Sequence, residues 1–470
     1  MSEPLARTLG AFLSKLSPGQ VPASVLEKTK LVILDAVANA VAGWDMPVSR
    51  QALALGRQWT NPSSQSTVWA EGLTALPTDC AFVNAVLIHS LLKDDSLPGS
   101  RAHGSSMIVP TALALAEQER LDGQRVLLAT VVGYELQGRL SANYKVSKPV
   151  VDRGFRGSPV FGPFAAAGAA AVMLDLNEEQ FTSAISLAAN YAGGLLECME
   201  RGTPEYRFQN ANAARSGLMA ALLAREGAET ADTALDGAYG FLRVFAGLDS
   251  APAEITEGLG QRFEVMRVEH KPFPTCGNNQ LALQALQHLL RHHQFSHEDI
   301  DKVLVRVHPQ RHDYPGCVGP GPFATVEQAL LSMPFSFAVL LLRNSLDASA
   351  YRNVGDPQFA ALAARVMVEG DSRTGLLDCS VDIALRGGQR LAADASVVDQ
   401  RAFHPSRDDA IADFHAMTRH MLPPDHRQSI IDRVLSLDTL RDVSQLTRLL
   451  VRPSGSRGEM QHARHQKVPK

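Results

Sequence analysis

Residues 163–176 read PFAAAGAAAVMLDL, and the fold turns on them. Alanine and glycine fill the middle of this stretch, so a helix made from it can lie close against its neighbours. Residues 212–227, NAARSGLMAALLAREG, have the same character. Small-residue helices with apolar stripes fit a compact helical bundle. Outward toward the N-terminus, residues 23–43 (ASVLEKTKLVILDAVANAVAG) carry apolar side chains at helical spacing and stop on a glycine. Residues 78–92, 105–118 and 123–140 repeat that pattern, which makes the first part of the chain mostly helical.

Outward toward the C-terminus the composition changes near Phe263. FEVMRVEH (263–270) reads as a strand entering a loop. DKVLVRVHP (301–309) alternates charged and apolar residues, as a half-buried strand does. RVMVEG, LLDCSVDIAL and QRLAADASVV add three more strand candidates, with helices expected over 279–293 and 326–343. Helices return from Arg407 to about Leu450. The pattern is that of a mainly α chain: a helical bundle plus a smaller α+β unit. The divisions are 1–262 for the helical domain, 263–405 for the α+β unit, and 406–450 for a helical region packing back on the first. The polar, basic stretch 451–470 is expected to be a disordered tail.

With 470 residues, 45% of them hydrophobic, the chain can bury a large core. Lysine plus arginine (45) nearly balances aspartate plus glutamate (49), so no electrostatic footprint for nucleic acid is present. Affinity for an anion must come from a local cluster of cationic groups. The five cysteines, Cys80, Cys198, Cys276, Cys317 and Cys379, are scattered and form no C-x-x-C spacing, which argues against a disulfide framework or a thiolate metal site. The N-terminal residues MSEPLARTLGAFLSKLSPG read as an amphipathic helix and not as a signal peptide. No run of about 18 uncharged apolar residues is present, so no membrane span is expected and a cytoplasmic location is the default.

Five segments carry a resemblance. CAFVNAVLIHSLLKDDS (80–96) is similar to A-F-V-N-G…H…D-[FY]-D-D-[ST] of the MmgE/PrpD family. HGSSMIVPTALALAE (103–117) resembles its H-P-S…V-x-P-A-x-L-A-L-A-E. RGFRGSPVFGPFAAAGAAA (153–171) stands in place of G-F-H-x-T…G-A-A-A-A. YRFQNANAARSGLMAALLAREG (206–227) resembles the K-R segment, and HKPFPTCGNNQLALQAL (270–286) resembles K-P-Y-P-x-C…H…A. They occur in order over nearly the whole chain. The resemblance implies a large all-helical domain plus a smaller α+β lid domain, in a homodimer with the active site between the two domains, a small carboxylate substrate, and no metal or organic cofactor. Family activities include 2-methylcitrate dehydration, cis-aconitate decarboxylation and iminodisuccinate epimerisation, so membership alone leaves the reaction open.

All of these reactions work at a carbon beside a carboxylate. They need a proton-transfer group and cationic or hydrogen-bonding groups where charge develops. His103 is the first catalytic candidate: it precedes a helix beginning HGSS, whose N–H groups and serines can bind a carboxylate. It matches a family active-site histidine. Lys271, which opens K-P-F-P-T-C and matches a family lysine, can bind a carboxylate or act as a base if desolvated. Asp94, Asp95 and Ser96 match the D-D-[ST] element; a carboxylate there can orient His103, carry a proton, or hold a helix end. Three family positions are substituted and a fourth, a histidine, is missing. Leu92 replaces an aspartate, Arg156 replaces the G-F-H histidine, and Tyr206, followed by Arg207, replaces the lysine of K-R. Asn278, Asn279 and Gln280 stand where a further histidine is expected. A guanidinium is a poor base but a good carboxylate clamp, so Arg156 and Arg207 are candidate substrate contacts. Tyr144 and Arg153, in a polar loop before the third motif, are further candidate substrate contacts, and Tyr314, in a Gly/Pro-rich loop of the α+β unit, is a candidate proton donor. Cys276 is read as structural.

The leading expectation is a hydro-lyase acting on a 2-methylcitrate-like hydroxy acid. The alternatives are an isomerase of the iminodisuccinate-epimerase type, a cis-aconitate-type decarboxylase, and a non-catalytic carboxylate binder.

Overall fold

The computed structural model describes residues 3–453. The helical part contains α1 (Ala23–Ala42), α2 (Pro77–His89), α3 (Ser105–Glu119), α4 (Gly123–Ser141), α5 (Gly157–Met173), α6 (Glu178–Tyr191) and α7 (Tyr206–Arg225). The alanine-rich α5 packs against α3, α4, α6 and α7, and every one of its residues is buried. Its neighbours also offer small residues at the contact. A Cβ at Gly217 of α7 would meet the Pro163 carbonyl and the Ala166 methyl, so glycine there sets the closeness of α5 and α7.

The α+β part begins with α8 (Gln280–His292) and β1 (Ile300–Val307), then α9 (Met333–Arg343), β2 (Val366–Gly370), β3 (Cys379–Leu385) and β4 (Arg390–Asp394). The strand order is β2-β1-β3-β4. β1 runs parallel to β2 and antiparallel to β3, and β3 is antiparallel to β4. Val305 pairs with Val368 on one side and Val381 on the other. Inward-facing Val303, Val305 and Val307 alternate with more exposed residues, as the period of two in the sequence requires. α8 packs on β3 and β4, while α9 contacts α8 and β2.

Among the described residues two large hydrophobic cores result, and a small third cluster joins Leu92, Cys198, Met199 and Tyr206 to Cys276, Cys317 and Leu331. One is built by the helices up to Val268 and continues into α10 (Arg407–Thr418) and α11 (Pro424–Leu435), which bring Ala410, Phe414, Ile430 and Ile431 back to α1. The other holds Phe273 to Phe403. The chain is mainly α with a smaller α+β part. Among the described residues no single helix is long and apolar enough to cross a membrane.

Three local expectations change. Residues 263–270 form a short 3-10 turn at Glu264–Arg267 instead of a strand, because the Glu264 N–H donates to the Glu135 carboxylate at 2.6 Å and no neighbouring strand is there to pair with. Only Glu269 pairs, exchanging backbone hydrogen bonds of 2.8 Å with Ser96. The helix expected over 326–343 divides at Ser332, whose hydroxyl caps the second half by accepting from the Phe335 N–H, with Pro334 in its first turn. The disordered-tail expectation falls mostly on 454–470, outside the described residues. Its first residues are held: the Arg452 N–H donates to the Ala70 carbonyl and its guanidinium meets Asp45 at 3.0 Å.

Candidate active site

The Ser96–Glu269 pairing stitches the loop after α2 to the segment that enters the α+β part. A cavity of about 120 Å³ opens beside this stitch. Ser96, Arg101, His103 and Tyr144 line it from the helical side; Cys276, Asn278, Arg311 and Tyr314 line it from the other, with Glu269 between. Two wider clefts of about 430 and 650 Å³ lie at the same junction, and neither is lined by His103. The cavity holding His103 is therefore the candidate site, on its chemistry and not on size.

Strained backbone aims Arg101 and Tyr144 into it and sets the Leu92 carbonyl that holds Lys271. Leu92, Arg101 and Tyr144 adopt φ of 54°, 53° and 78°, a left-handed conformation that costs a non-glycine residue about 1 kcal/mol or more. The Tyr144 N–H donates to the Gly99 carbonyl at 2.9 Å and holds that turn.

His103 Nδ1 lies 2.6 Å from the Asp95 main-chain carbonyl. A carbonyl only accepts, so Nδ1 carries the proton and Nε2 keeps its lone pair. Burial and the nearby Lys271 ammonium push His103 well below its ordinary pKa, so the imidazole is neutral at neutral pH. The Asp95 carboxylate does different work. It accepts from the Ser105 N–H at 2.9 Å, the Gly104 N–H at 3.3 Å, the Tyr134 hydroxyl at 2.7 Å and the Ser105 hydroxyl. The start of α3 is thus closed by an internal carboxylate, and the HGSS groups expected to bind a ligand carboxylate are already engaged. Burial, then the neighbouring Asp94, raise Asp95 to about 6.

Behind His103 lies His89, 5.1 Å away between ring centroids and fully buried. Its Nδ1 contacts the Asp94 carboxylate at 2.8 and 2.9 Å. Its Nε2 faces the Arg156 guanidinium at 3.3 Å, which leaves Nδ1 as the protonated nitrogen. Burial lowers His89 to about 4, against the pull of Asp94. Burial alone would raise Asp94, but His89, His103 and Lys271 outweigh it and hold the carboxyl well below its usual range. Lys271 Nζ donates to the Leu92 carbonyl at 2.6 Å, and burial lowers its pKa while Asp94 opposes. The main chain at Leu92 thus anchors the lysine where an aspartate side chain was expected.

The arginine expectations divide. Arg156 donates to the Tyr206 carbonyl, Gln209 and Asn210 and sits 5.2 Å from the Tyr206 ring centroid. Arg207 donates to the Ser90 carbonyl and pairs with Glu327 at 2.9 Å, leaving only Nη2 unpartnered. Arg153 is exposed, its guanidinium turned to the Val244 carbonyl at 2.6 Å, because its turn lies outside the cavity wall. Tyr206 is buried between the two guanidinia with no partner for its hydroxyl. None of these four lines the cavity, whereas Ser96, His103, Tyr144 and Tyr314 do.

Sequence reasoning missed Arg101, Arg311, Glu269 and His89. Arg101 reaches only Gln310 at 3.3 Å, and Arg311 only the Asn278 carbonyl at 3.5 Å. Neither guanidinium forms an ion pair with a carboxylate of the described residues. Burial raises the Glu269 carboxyl to about 7, opposed by Arg311 and Lys28. His89 was legible as the histidine of the first motif; nothing local marked the others. Among the described residues no group of three His, Cys, Asp or Glu side chains is gathered as a metal site.

Comparison with known proteins places these residues in a family frame. Over 97% of this chain and 96% of its partner, the chain is 26% identical to the cis-aconitate decarboxylase of Homo sapiens. It is 31% identical over 296 residues to the cis-aconitate decarboxylase-like protein oryM of Aspergillus oryzae, an alignment covering 60% of this chain and 61% of that protein. A cis-aconitate decarboxylase of Aspergillus terreus is 29% identical over 59% of this chain and 58% of its own length. The family model of the MmgE/PrpD N-terminal domain matches residues 7–253 and that of the C-terminal domain residues 273–438, and the chain belongs to the MmgE/PrpD family.

Proposed function

We propose that this chain is a lyase acting on a small polycarboxylate, and that its reaction is decarboxylation of a cis-aconitate-like acid. One observation carries the reading. The free Nε2 of His103 and two guanidinia without carboxylate partners, Arg101 and Arg311, share one cavity. The relatives named as cis-aconitate decarboxylases favour this reaction over the dehydration expected from the motifs.

Decarboxylating an unsaturated acid leaves an electron pair that becomes a new double bond while the far carbon of the old one takes a proton. The arginines hold the carboxylates that stay, as guanidinia hold oxyanions. A polyanion arriving beside His103 favours the protonated imidazole, so binding loads the proton that Nε2 then delivers. The Tyr314 hydroxyl, and the Glu269 carboxyl, half-protonated near neutral pH, are further proton carriers in the same cavity. Lys271, Asp94 and His89 fix the field behind His103. The reading includes a homodimer; sedimentation of a monomer at micromolar concentration would remove that part.

Dehydration of a 2-methylcitrate-like hydroxy acid is the second reading, favoured by His103 being a neutral base before substrate arrives. Proton NMR in D₂O with cis-aconitate, 2-methylcitrate, citrate and iminodisuccinate separates them. The expected result is consumption of cis-aconitate with loss of carbon dioxide and one deuteron in the product, slowed at least ~10²-fold in His103→Ala. Water loss from 2-methylcitrate without carbon dioxide would put dehydration first. Deuterium exchange without a new alkene would favour epimerisation, and silence with citrate still bound would leave a carboxylate binder.

A further inference from the structure

We propose that Cys276 and Cys317 form a hydroperoxide-reactive dithiol site in the wall of this cavity, closing to a disulfide. Cys276 ends the K-P-F-P-T-C stretch and lines the cavity with His103 and Tyr314, so a small oxidant that reaches the imidazole also reaches this sulfur. Cys317 lies behind it, fully buried, in the loop that carries Tyr314. The two sulfurs are 3.7 Å apart, with the Cys317 S–H donating to Cys276 Sγ. Asn278 Nδ2 in turn donates to Cys317 Sγ at 3.7 Å. Both main chains are tied to one short stretch of backbone: the Cys276 N–H donates to the Leu330 carbonyl at 3.1 Å, and the Met333 N–H to the Cys317 carbonyl at 2.8 Å. The pair is thus held face to face, and a disulfide needs the sulfurs at about 2.05 Å, a closure within the reach of side-chain rotation.

The surroundings select Cys276 as the attacking thiol. The Cys317 S–H bond lowers its pKa most; the Asn278 N–H, Lys271 and Arg311 add to that, and burial opposes it. Burial raises Cys80 and Cys379 instead, and no thiol faces them. The Cys198 sulfur is also raised by burial and donates to the Leu195 carbonyl.

The chemistry balances with a hydroperoxide as oxidant. The Cys276 thiolate attacks one peroxide oxygen, the O–O bond breaks, and hydrogen peroxide's other oxygen leaves as hydroxide and is protonated to water. The resulting sulfenic acid is attacked by the Cys317 sulfur; the S–O bond breaks, the S–S bond forms, and the leaving oxygen takes the Cys317 proton to become a second water. Two thiols are oxidised and one peroxide is reduced. The inference stands on the sulfur geometry and does not depend on which acid is turned over.

The test treats the reduced full-length protein with hydrogen peroxide, denatures it in alkylating reagent and maps its peptides. The expected result is loss of two of the five thiols, one cross-linked pair joining the Cys276 and Cys317 peptides, and recovery of both thiols with dithiothreitol. Cys276 should react at least ~10-fold faster than Cys80, Cys198 or Cys379. In Cys317→Ser the cross-link should vanish and a sulfenic acid at Cys276 should be trapped by a 1,3-diketone. Sulfinic acid at Cys276 of the wild-type protein without a cross-link would overturn the proposal, as would a cross-link joining any other pair or five intact thiols. The wild-type map decides this by itself, whatever happens to the folding of the variant.

Discussion

A guanidinium whose N–H groups already point at neighbouring carbonyls has little left to offer a ligand. Arg156 is in that state and Arg207 nearly so, while Arg153 is exposed and lies outside the cavity wall. Arg101 and Arg311 have only long contacts. Arg311→Ala should therefore weaken citrate binding ~10- to 100-fold, about 1.5–3 kcal/mol. Arg153→Ala should change it by less than about twofold. Calorimetric titration of both variants checks this, and equal effects would discard the assignment. His89 supports a pH prediction. Its folded pKa is about 4 while an unfolded histidine titrates near 6.5, so as pH falls the unfolded chain takes the proton first. The stability it contributes is whole above about pH 6.5 and drains away toward pH 4, by at most about 3 kcal/mol. Denaturant unfolding across that range should show the slope, and His89→Gln should reduce it, leaving the part that the buried His103 and His270 contribute.

Helix ends and helix contacts set the next scale. α3 begins on a carboxylate from another loop, so its first N–H groups and the Tyr134 hydroxyl depend on one residue. Asp95→Ala would leave these donors buried and unpaired, and thermal melts should show a loss of about 2–4 kcal/mol. Because the same residue's carbonyl orients His103, the variant should also lose turnover. An unchanged melting temperature would show that solvent replaces the carboxylate there. The α5–α7 contact has no such give. Gly217→Val would drive a branched side chain into the Pro163 carbonyl and should cost about 3 kcal/mol or more, read by denaturant titration.

At the scale of the molecule, the cavity belongs to neither core. His103, Ser96 and Arg101 hang from the helical part, and Asn278, Arg311 and Tyr314 from the α+β part. A polycarboxylate held in it should protect backbone amides on both sides. Hydrogen exchange with and without citrate should slow at residues 96–106 and also at 276–279 and 311–317. Protection confined to one side would place the ligand elsewhere, in one of the wider clefts.

The sequence by itself determined most of the helices, the four strands of the α+β part and the family. Periods of 3.6 and 2 are local properties, and small residues such as Gly168 and Gly217 announce close helix contacts wherever they fall. It also singled out His103 and Lys271, because their motifs are continuous in the chain. What those groups do was decided only by tertiary structure. Asp95 and Ser105 are ten residues apart, Arg156 and His89 sixty-seven, and Cys276 and Cys317 forty-one, and no periodicity links such partners. A guanidinium clamps a ligand or holds a neighbour according to what faces it. The fold turned Arg156 and Arg207 inward, and brought Arg101 and Arg311 from two separate loops to the same cavity.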